Sequence, residues 1–188
     1  VFNTNMLTTI LPGANGGFFI RHLPKKNLSF LNSGIQIGAN YVQKGWGQQF
    51  LTNEPNHITR MNYLEVPIEG IGYFGNRNKY FLSVGFFMEF LLDSQIDPEP
   101  DLENLGGADF YTYDPARDRN FGYGARVAGG IFRDFSFGAL QIEGFFNYSF
   151  SNFINSDDLY TEVPDISNHW VFGVTLGYML PLIKNKDE

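Results

Sequence analysis

Apolar and polar residues alternate along several segments of this chain, and this period of two restricts its fold more than any other feature. From Tyr80 to Leu92, one face carries leucine, valine, phenylalanine and methionine, whereas the other face includes Ser83 and Glu89. Residues two apart point to the same side of a β-strand, so the segment predicts a strand with one apolar face. No run approaches the roughly 20 apolar residues of a membrane-spanning helix. The sequence therefore predicts an all-β fold.

The same alternation recurs along most of the chain. The further segments are Gly17 to Leu23, Gly34 to Lys44, Asn62 to Phe74, Phe121 to Ile131, Phe137 to Phe150 and Trp170 to Tyr178. A barrel with both ends on one side of a membrane needs an even number of strands. We therefore expect an eighth strand within Val1 to Ile10, a polar segment that alternates weakly and is either irregular or incomplete.

The connections between these segments alternate between short and long. The short ones are Pro24 to Asn27, Gly75 to Lys79 and Phe132 to Ser136, and the long ones are Gly45 to Arg60, Ile96 to Asn120 and Asn155 to Asn168. This alternation is typical of bacterial outer-membrane barrels. The prediction is a single domain over residues 1–188, an eight-stranded antiparallel up-and-down transmembrane β-barrel with short periplasmic turns, long extracellular loops and periplasmic termini.

Charged residues fall on only one face of the alternating segments. A soluble barrel of the lipocalin type would turn the apolar faces inward. Aromatic residues near the strand ends instead fit the interfacial girdles of a membrane barrel, which favours contact of the apolar faces with outer-membrane lipid and lipopolysaccharide. The predicted girdle comprises Tyr41, Trp46, Tyr73, Phe74, Phe90, Tyr148, Phe150 and Trp170.

A lumen enclosed by eight strands is only wide enough for side chains. The charged residues predicted to point into it are Arg21, Lys44, Glu65, Glu69, Glu89, Arg126 and Glu143. Unpaired charges in such a space are costly, so we expect an ion-pair network that plugs the lumen. Glu65 and Glu69 lie four residues apart on one face and are expected to pair with Arg21 or Arg126.

Charge and cysteine content exclude several classes of function. The formal net charge is -7 and no basic stripe is present, which argues against a nucleic-acid partner. The chain has no cysteine, so it can form neither disulfides nor cysteine-ligated metal sites. We expect no cofactor.

Two acidic stretches could in principle bind a hard cation. They contain Asp93, Asp97, Glu99, Asp101, Glu103 and Asp109, and Asp157, Asp158, Glu162 and Asp165. Their spacing matches no EF-hand loop, so we interpret them as solvated surface and predict no metal site.

A cluster of Asp165, Ser167 and His169 raises the alternative of a lipid-modifying barrel enzyme. No nucleophile elbow accompanies it, and spacing alone does not establish hydrogen-bond geometry. We therefore predict a protein that is not an enzyme.

Two motifs resemble a known family. Tyr41-Val-Gln-Lys-Gly45 closes one strand and Asn62-Tyr-Leu-Glu-Val-Pro-Ile68 opens the next, a pairing similar to that of the PorT-like outer-membrane β-barrel family of Bacteroidetes. The resemblance continues through Phe81 to Gly85, Phe121 to Ala125 and Phe172 to Tyr178. It implies an eight-stranded barrel, association of the namesake with the type 9 secretion system, and no catalytic signature. The usual glycine-rich first strand is not visible at Val1 to Ile10, and the tail Ile183 to Glu188 runs past the customary aromatic end.

Two classes of function remain open. The favoured hypothesis is a noncatalytic accessory or structural subunit of a larger outer-membrane complex for secretion, assembly or nutrient uptake, in contact with other outer-membrane or periplasmic proteins. The alternative is a stand-alone barrel that binds through its acidic loops or, less favoured, modifies lipid.

Overall fold

The computed structural model describes residues 11–24, 31–48, 57–98, 119–151 and 169–182. Seven strands lie in these ranges: β1 (Asn15–His22), β2 (Asn32–Gln48), β3 (His57–Phe74), β4 (Asn78–Asp97), β5 (Phe121–Phe135), β6 (Gly138–Ser149) and β7 (Trp170–Met179). They form one antiparallel sheet in chain order. The predicted all-β, antiparallel fold is confirmed. No helix of the described residues is long and apolar enough to cross a membrane.

The sheet curls so that one of its faces is enclosed. Asn147 on β6 donates a hydrogen bond to Glu65 on β3, 2.7 Å away, although β4 and β5 lie between these strands. The enclosed face is the polar one. On β4, Phe86 points outward and is 71% exposed, whereas its neighbour Phe87 points inward and is 1% exposed. The alternation in the sequence is thus an inside-out pattern, with apolar side chains on the outer surface.

Some connections are shorter than the sequence predicts. β2 extends to Gln48 and β3 begins at His57, so both strands continue into the expected loop from Gly45 to Arg60. The expected turn from Phe132 to Ser136 shrinks to residues 136–137. Phe132 remains in β5 because its ring packs inside the sheet against Phe81. Gly75 and Gly138, at the two tight turns, have positive φ angles of 105° and 144°, which glycine adopts without strain.

Two apolar layers cross the enclosed space, one near each end. Near the short turns, Ile71, Tyr73, Phe81 and Phe132 pack together, with Leu23 and Met179 against them. Towards the other end, Met61 and Tyr63 pack together, with Trp46 and Leu91 against them. Glu65, Glu69, Glu89 and Arg126 lie along the strands between these clusters. Lys44 pairs with Met61 of the second cluster, and the Arg21 guanidinium lies against Phe81 and Phe132 of the first.

β1 and β7 are the two edges of the sheet and do not pair with each other. The strand predicted within Val1 to Ile10 lies outside the described residues, as do most of the three long loops. The described part of the chain is therefore a curled sheet of seven strands with a seam between β1 and β7.

Candidate functional site

Arg126 is the centre of the buried polar layer. It projects inward from β5, and its guanidinium lies near carboxylates of two other strands: 3.7 Å from Glu65, 3.3 Å from Glu69 and 2.7 Å from Glu143. It also donates a 3.0 Å hydrogen bond to Asn147 and lies 4.3 Å from the centre of the Phe145 ring. A single cation thus compensates three buried carboxylates and ties β3, β5 and β6 together.

Neutral side chains donate further hydrogen bonds to these carboxylates. Glu69 accepts hydrogen bonds from Gln36 at 3.0 Å and from Ser83 at 2.8 Å, and Glu143 accepts one from Gln141 at 2.8 Å. Buried carboxylates are tolerated only when their oxygens are paired in this way. The donors come from β2, β4 and β6, so the network joins five neighbouring strands across the interior.

A second ion pair lies closer to the apolar layer of Met61 and Tyr63. The ammonium of Lys44 on β2 pairs with Glu89 on β4, and Ser149 donates a 3.0 Å hydrogen bond to the other oxygen of Glu89. The Lys44 ammonium also lies 5.1 Å from the centre of the Tyr63 ring and 5.3 Å from that of Phe87. Cation–π contacts of this kind favour a desolvated ammonium, so both members of the pair are held inside.

Arg21 is positioned differently from the other two cations. Its Nε donates a 2.8 Å hydrogen bond to Gln36, and three aromatic rings, of Phe19, Phe81 and Phe132, surround the guanidinium at 5.0 to 5.4 Å. Its Nη1 and Nη2 atoms are buried and have no hydrogen-bond partner among the described residues. Arg21 and Arg126 are the two predicted partners of Glu65 and Glu69. The salt bridges to both carboxylates are made by Arg126.

The structure places the predicted girdle residues on both faces. Tyr41, Phe74, Phe90, Tyr148, Phe150 and Trp170 are exposed on the outer face. Tyr73 is buried and Trp46 packs against Tyr63, so both of these face the interior. The correction follows from position along the strand, because Tyr73 shares its face with Glu69, and Trp46 shares its face with Lys44.

The remaining candidates are only partly described. Asp93 accepts a 2.9 Å hydrogen bond from Gln95, and the His169 ring lies 5.8 Å from that of Trp46. Asp97 ends β4, and the remaining acidic loop residues, together with Ser167, lie outside the described residues. Within the described ranges, no group of histidines and carboxylates is arranged to hold a metal ion.

The interior divides into a filled side and an open side. The filled side is the inner face of β3 to β6, where Glu65, Phe87 and Asn147 are each at most 1% exposed. The open side is the inner face of β1 and β7, where side chains are only partly buried. Between the described residues, a cavity of about 1260 Å³ extends from the open side, where Arg21 and Thr175 line it, to the charged layer, where Glu69 and Arg126 line it.

Sequence reasoning missed the neutral members of the network. They are Gln36, Ser83, Gln141, Asn147 and Ser149. A signal was present, because each of them shares its strand face with a predicted lumen charge or with a buried aromatic residue. Polar residues on the enclosed face of a narrow barrel are candidate partners even when they carry no charge.

Comparison with known proteins gives one match. A family model described as "Outer membrane protein beta-barrel domain" matches residues 2–155. Searches of the curated proteins and of the solved structures give no match.

Proposed function

This chain belongs to the outer membrane protein β-barrel domain family, and on that premise we propose that it is a noncatalytic barrel with a plugged lumen that serves a larger outer-membrane complex. Its place is the outer membrane, with the apolar outer face in lipid. Within the complex it acts as an accessory or structural subunit for secretion, assembly or nutrient uptake. The partners are other outer-membrane or periplasmic proteins.

One observation supports the plug above all others, namely the charged layer centred on Arg126. Among the described residues, ion pairs occupy the inner face of β3 to β6, and an apolar cluster lies on each side of them along the strands. Charges that are already paired offer little to a passing ion. A barrel without a conducting lumen is suited to binding partner proteins.

The finer features of the proposal follow from the sequence. They are eight strands, long extracellular loops, periplasmic termini and a relationship to the PorT-like barrels of Bacteroidetes. The resemblance at Tyr41 to Gly45 and Asn62 to Ile68 supports that relationship. It makes the type 9 secretion system the first complex to examine for this chain.

Conductance across a planar bilayer tests the plug. We expect the purified full-length chain, inserted at a density checked by protein recovery, to give no steady current above that of the empty bilayer. A water-filled porin inserted in parallel provides the positive control. A large and steady ion current from the chain would refute the plugged lumen.

Co-purification tests the subunit role. Affinity capture from outer membranes dissolved in mild detergent should recover the chain together with defined partners at constant ratio. A variant in which lysine replaces Val84 and Phe86 serves as a control for partner binding through the outer face of β4. Migration of the chain alone at every expression level would contradict the subunit role.

The alternative, a stand-alone surface-binding barrel, is favoured by one feature. β4 extends to Asp97 and carries Asp93 and Asp97 into the acidic loop. For the less favoured lipid-modifying enzyme, the Ser167→Ala and His169→Ala variants should lose any turnover of lipid A or phospholipid. Absence of turnover in the parent chain would end that alternative.

A further inference from the structure

Arg133 is the one charged residue that points outward from the described strands at the end where the short turns lie. The sequence predicts a turn at this position, whereas the structure includes Arg133 in β5. It follows inward-facing Phe132 and pairs with Leu140 of β6, which is exposed on the outer face. The other charged strand residues at this end, Lys79 and Asp134, pair with each other near the inward Phe132 ring. The charge of Arg133 is therefore directed to the surroundings of the barrel.

The position of Arg133 along β5 corresponds to the height of lipid headgroups. An arginine on the lipid face of a barrel is strongly destabilising at the bilayer midplane and nearly neutral at the interface. Strand pairing places Asn78, Arg133, Leu140 and Tyr178 in one row across β4 to β7. Asn78 is the first residue of β4, so this row lies next to the turn between β3 and β4. Tyr178 is half exposed on the outer face, as is typical of residues at a membrane interface.

A row of aromatic rings supports the guanidinium of Arg133. The guanidinium lies 5.4 Å from the centre of the Phe135 ring, a cation–π contact. The Phe135 ring stacks on that of Phe137 at 5.2 Å, and Phe137 stacks on Tyr178 at 6.3 Å. The Tyr178 hydroxyl donates a 2.5 Å hydrogen bond to the carbonyl oxygen of Phe137. These contacts position the guanidinium before any ligand binds.

The hydrogen-bonding capacity of Arg133 is not used within the described part of the chain. Its Nε atom is buried and has no hydrogen-bond partner there, and its guanidinium forms no ion pair with a described carboxylate. Asn78 lies directly opposite on β4 and is exposed on the same face. Cβ atoms of such cross-strand neighbours are about 4.5–5.5 Å apart. A ligand with several acceptor oxygens can therefore bind both side chains at once.

The two ends of the outer face differ in charge. At the end away from the short turns, Arg60 pairs with Gln95, so Asp93 and Asp97 are its diagonal neighbours on that face. No described carboxylate neighbours Arg133 in this way, and Arg77 adds a second positive charge in the adjacent turn. A basic end of this kind attracts anionic lipid headgroups.

We propose that Arg133 and Asn78 bind the phosphate of a glycerophospholipid in the periplasmic leaflet of the outer membrane. The inference rests on the proposed function, which supplies the lipid contact and the periplasmic position of the short turns. A phosphodiester carries a negative charge and acceptor oxygens, and the guanidinium fork binds it through two parallel hydrogen bonds. The acyl chains of this lipid lie along outward-facing Leu82, Ile131 and Ile142.

Lipid binding by the purified full-length chain tests the proposal. Native mass spectrometry in a nonionic detergent gives the dissociation constant for phosphatidylglycerol, and diacylglycerol with the same acyl chains is the probe without phosphate. We expect phosphatidylglycerol to bind more tightly than diacylglycerol. Arg133→Gln should weaken phosphatidylglycerol binding by about tenfold or more, because hydrogen bonds to a charged group are lost. Asn78→Ala, at an exposed position, removes a neutral donor and should weaken binding by about two- to tenfold.

Arg60→Gln provides the matched control, because Arg60 is the outward arginine at the opposite end, and it should bind phosphatidylglycerol as the parent does. Migration on unheated gels identifies the folded variants. Parental affinity in folded Arg133→Gln, or in Asn78→Ala, would overturn the proposal. An equal loss of affinity in Arg60→Gln would overturn it too, as would equal affinity for diacylglycerol. Tighter binding of lipid A than of phosphatidylglycerol would assign Arg133 to the other leaflet and contradict it.

Conductance and co-purification of the same preparation keep this inference separate from the proposed function. A chain that conducts no ions and recovers its partners, yet binds phosphatidylglycerol and diacylglycerol equally, would contradict only the phosphate site. The expected loss of affinity in Arg133→Gln, together with a strong ion current from the parent chain, would contradict only the plug.

Discussion

The filled side and the open side of the interior are built from the same strand pattern but differ in packing. On the filled side, Arg126 meets three carboxylates, and Phe87 lies against the backbone of Gly124. On the open side, Arg21 meets one glutamine, and Gly177 has no neighbour within 3.5 Å of an added Cβ. Alternation decides which side chains point inward. Whether a strand has neighbouring strands on both sides decides how tightly its inward side chains are packed.

The comparison indicates which side of the interior contributes more to the free energy of unfolding. Ion pairs and aromatic rings on the filled side join strands that are distant in sequence, so each contact resists opening of the whole sheet. Matched substitutions on the two sides should therefore differ in their effect on the free energy of unfolding.

Replacement of the two arginines should give the largest contrast. Arg126→Met leaves Glu65, Glu69 and Glu143 buried without their cation, so we expect a loss of up to about 5 kcal/mol in unfolding free energy. Arg21→Met removes one hydrogen bond and ring contacts, for a loss of about 1–2 kcal/mol. Urea unfolding in lipid vesicles measures both. Equal losses of unfolding free energy in the two variants would show that the charged layer does not depend on Arg126.

The two inward phenylalanines give the next contrast. Phe87→Ala should cost about 3–4 kcal/mol, because its ring is fully buried and its removal leaves a cavity. Phe19→Ala, at the seam, should cost about half as much. The midpoint of guanidinium unfolding, followed by tryptophan fluorescence, reports the difference. A greater loss at Phe19 would locate the tightly packed core on the seam side.

Alanine at inward glycines tests the available space. In Gly124→Ala the new methyl group meets the carbonyl oxygen of Tyr148 and, at 2.5 Å, the Phe87 ring, so we expect a loss of about 2–3 kcal/mol from overpacking. Gly177→Ala meets its nearest atom at 3.6 Å and should change stability by less than about 0.5 kcal/mol. Thermal loss of the compact form on unheated gels measures both variants. The reverse order would contradict the division into two sides.

Removal of single hydroxyl groups should have the smallest effects. Ser149→Ala leaves an oxygen of Glu89 without its donor, so a loss of about 1.5 kcal/mol is expected. Thr175→Val removes only a long contact with exposed Asn15 and should cost less than about 0.5 kcal/mol. Hydrogen exchange at β4 and β7 can resolve changes of this size. Equal losses of stability in the two variants would mean that the Lys44–Glu89 pair does not need the hydrogen bond from Ser149.

The sequence predicts the strands and their faces because both follow from local alternation. Leu82 and Glu89 fall on opposite faces as expected, and each predicted lumen charge points inward in the structure. Tyr73 and Trp46 were misplaced because residue type was given more weight than position along the strand. Aromatic rings suit both a lipid interface and a packed lumen, so type alone does not separate the two.

The pairing of charges could not be predicted from alternation. Arg126 reaches Glu69 across Gly85, which pairs with both residues and has no side chain, and alternation within a strand does not reveal this register between strands. The ends of the connections were misjudged for a related reason. Phe132 continues β5 because Phe81 lies opposite it inside, and that contact joins residues far apart in the sequence.

The unequal lengths of the strands give the end opposite the short turns an oblique outline. The ladder between β4 and β5 stops where Phe90 faces Phe121, yet β4 continues to Asp97. At about 3.3 Å per residue and a tilt near 40°, those residues add roughly 18 Å of height. Among the described strands, the backbone therefore rises higher on the β2 to β4 flank than on the β5 to β7 flank. A partner that rested on these strand ends would meet a slope and not a level rim.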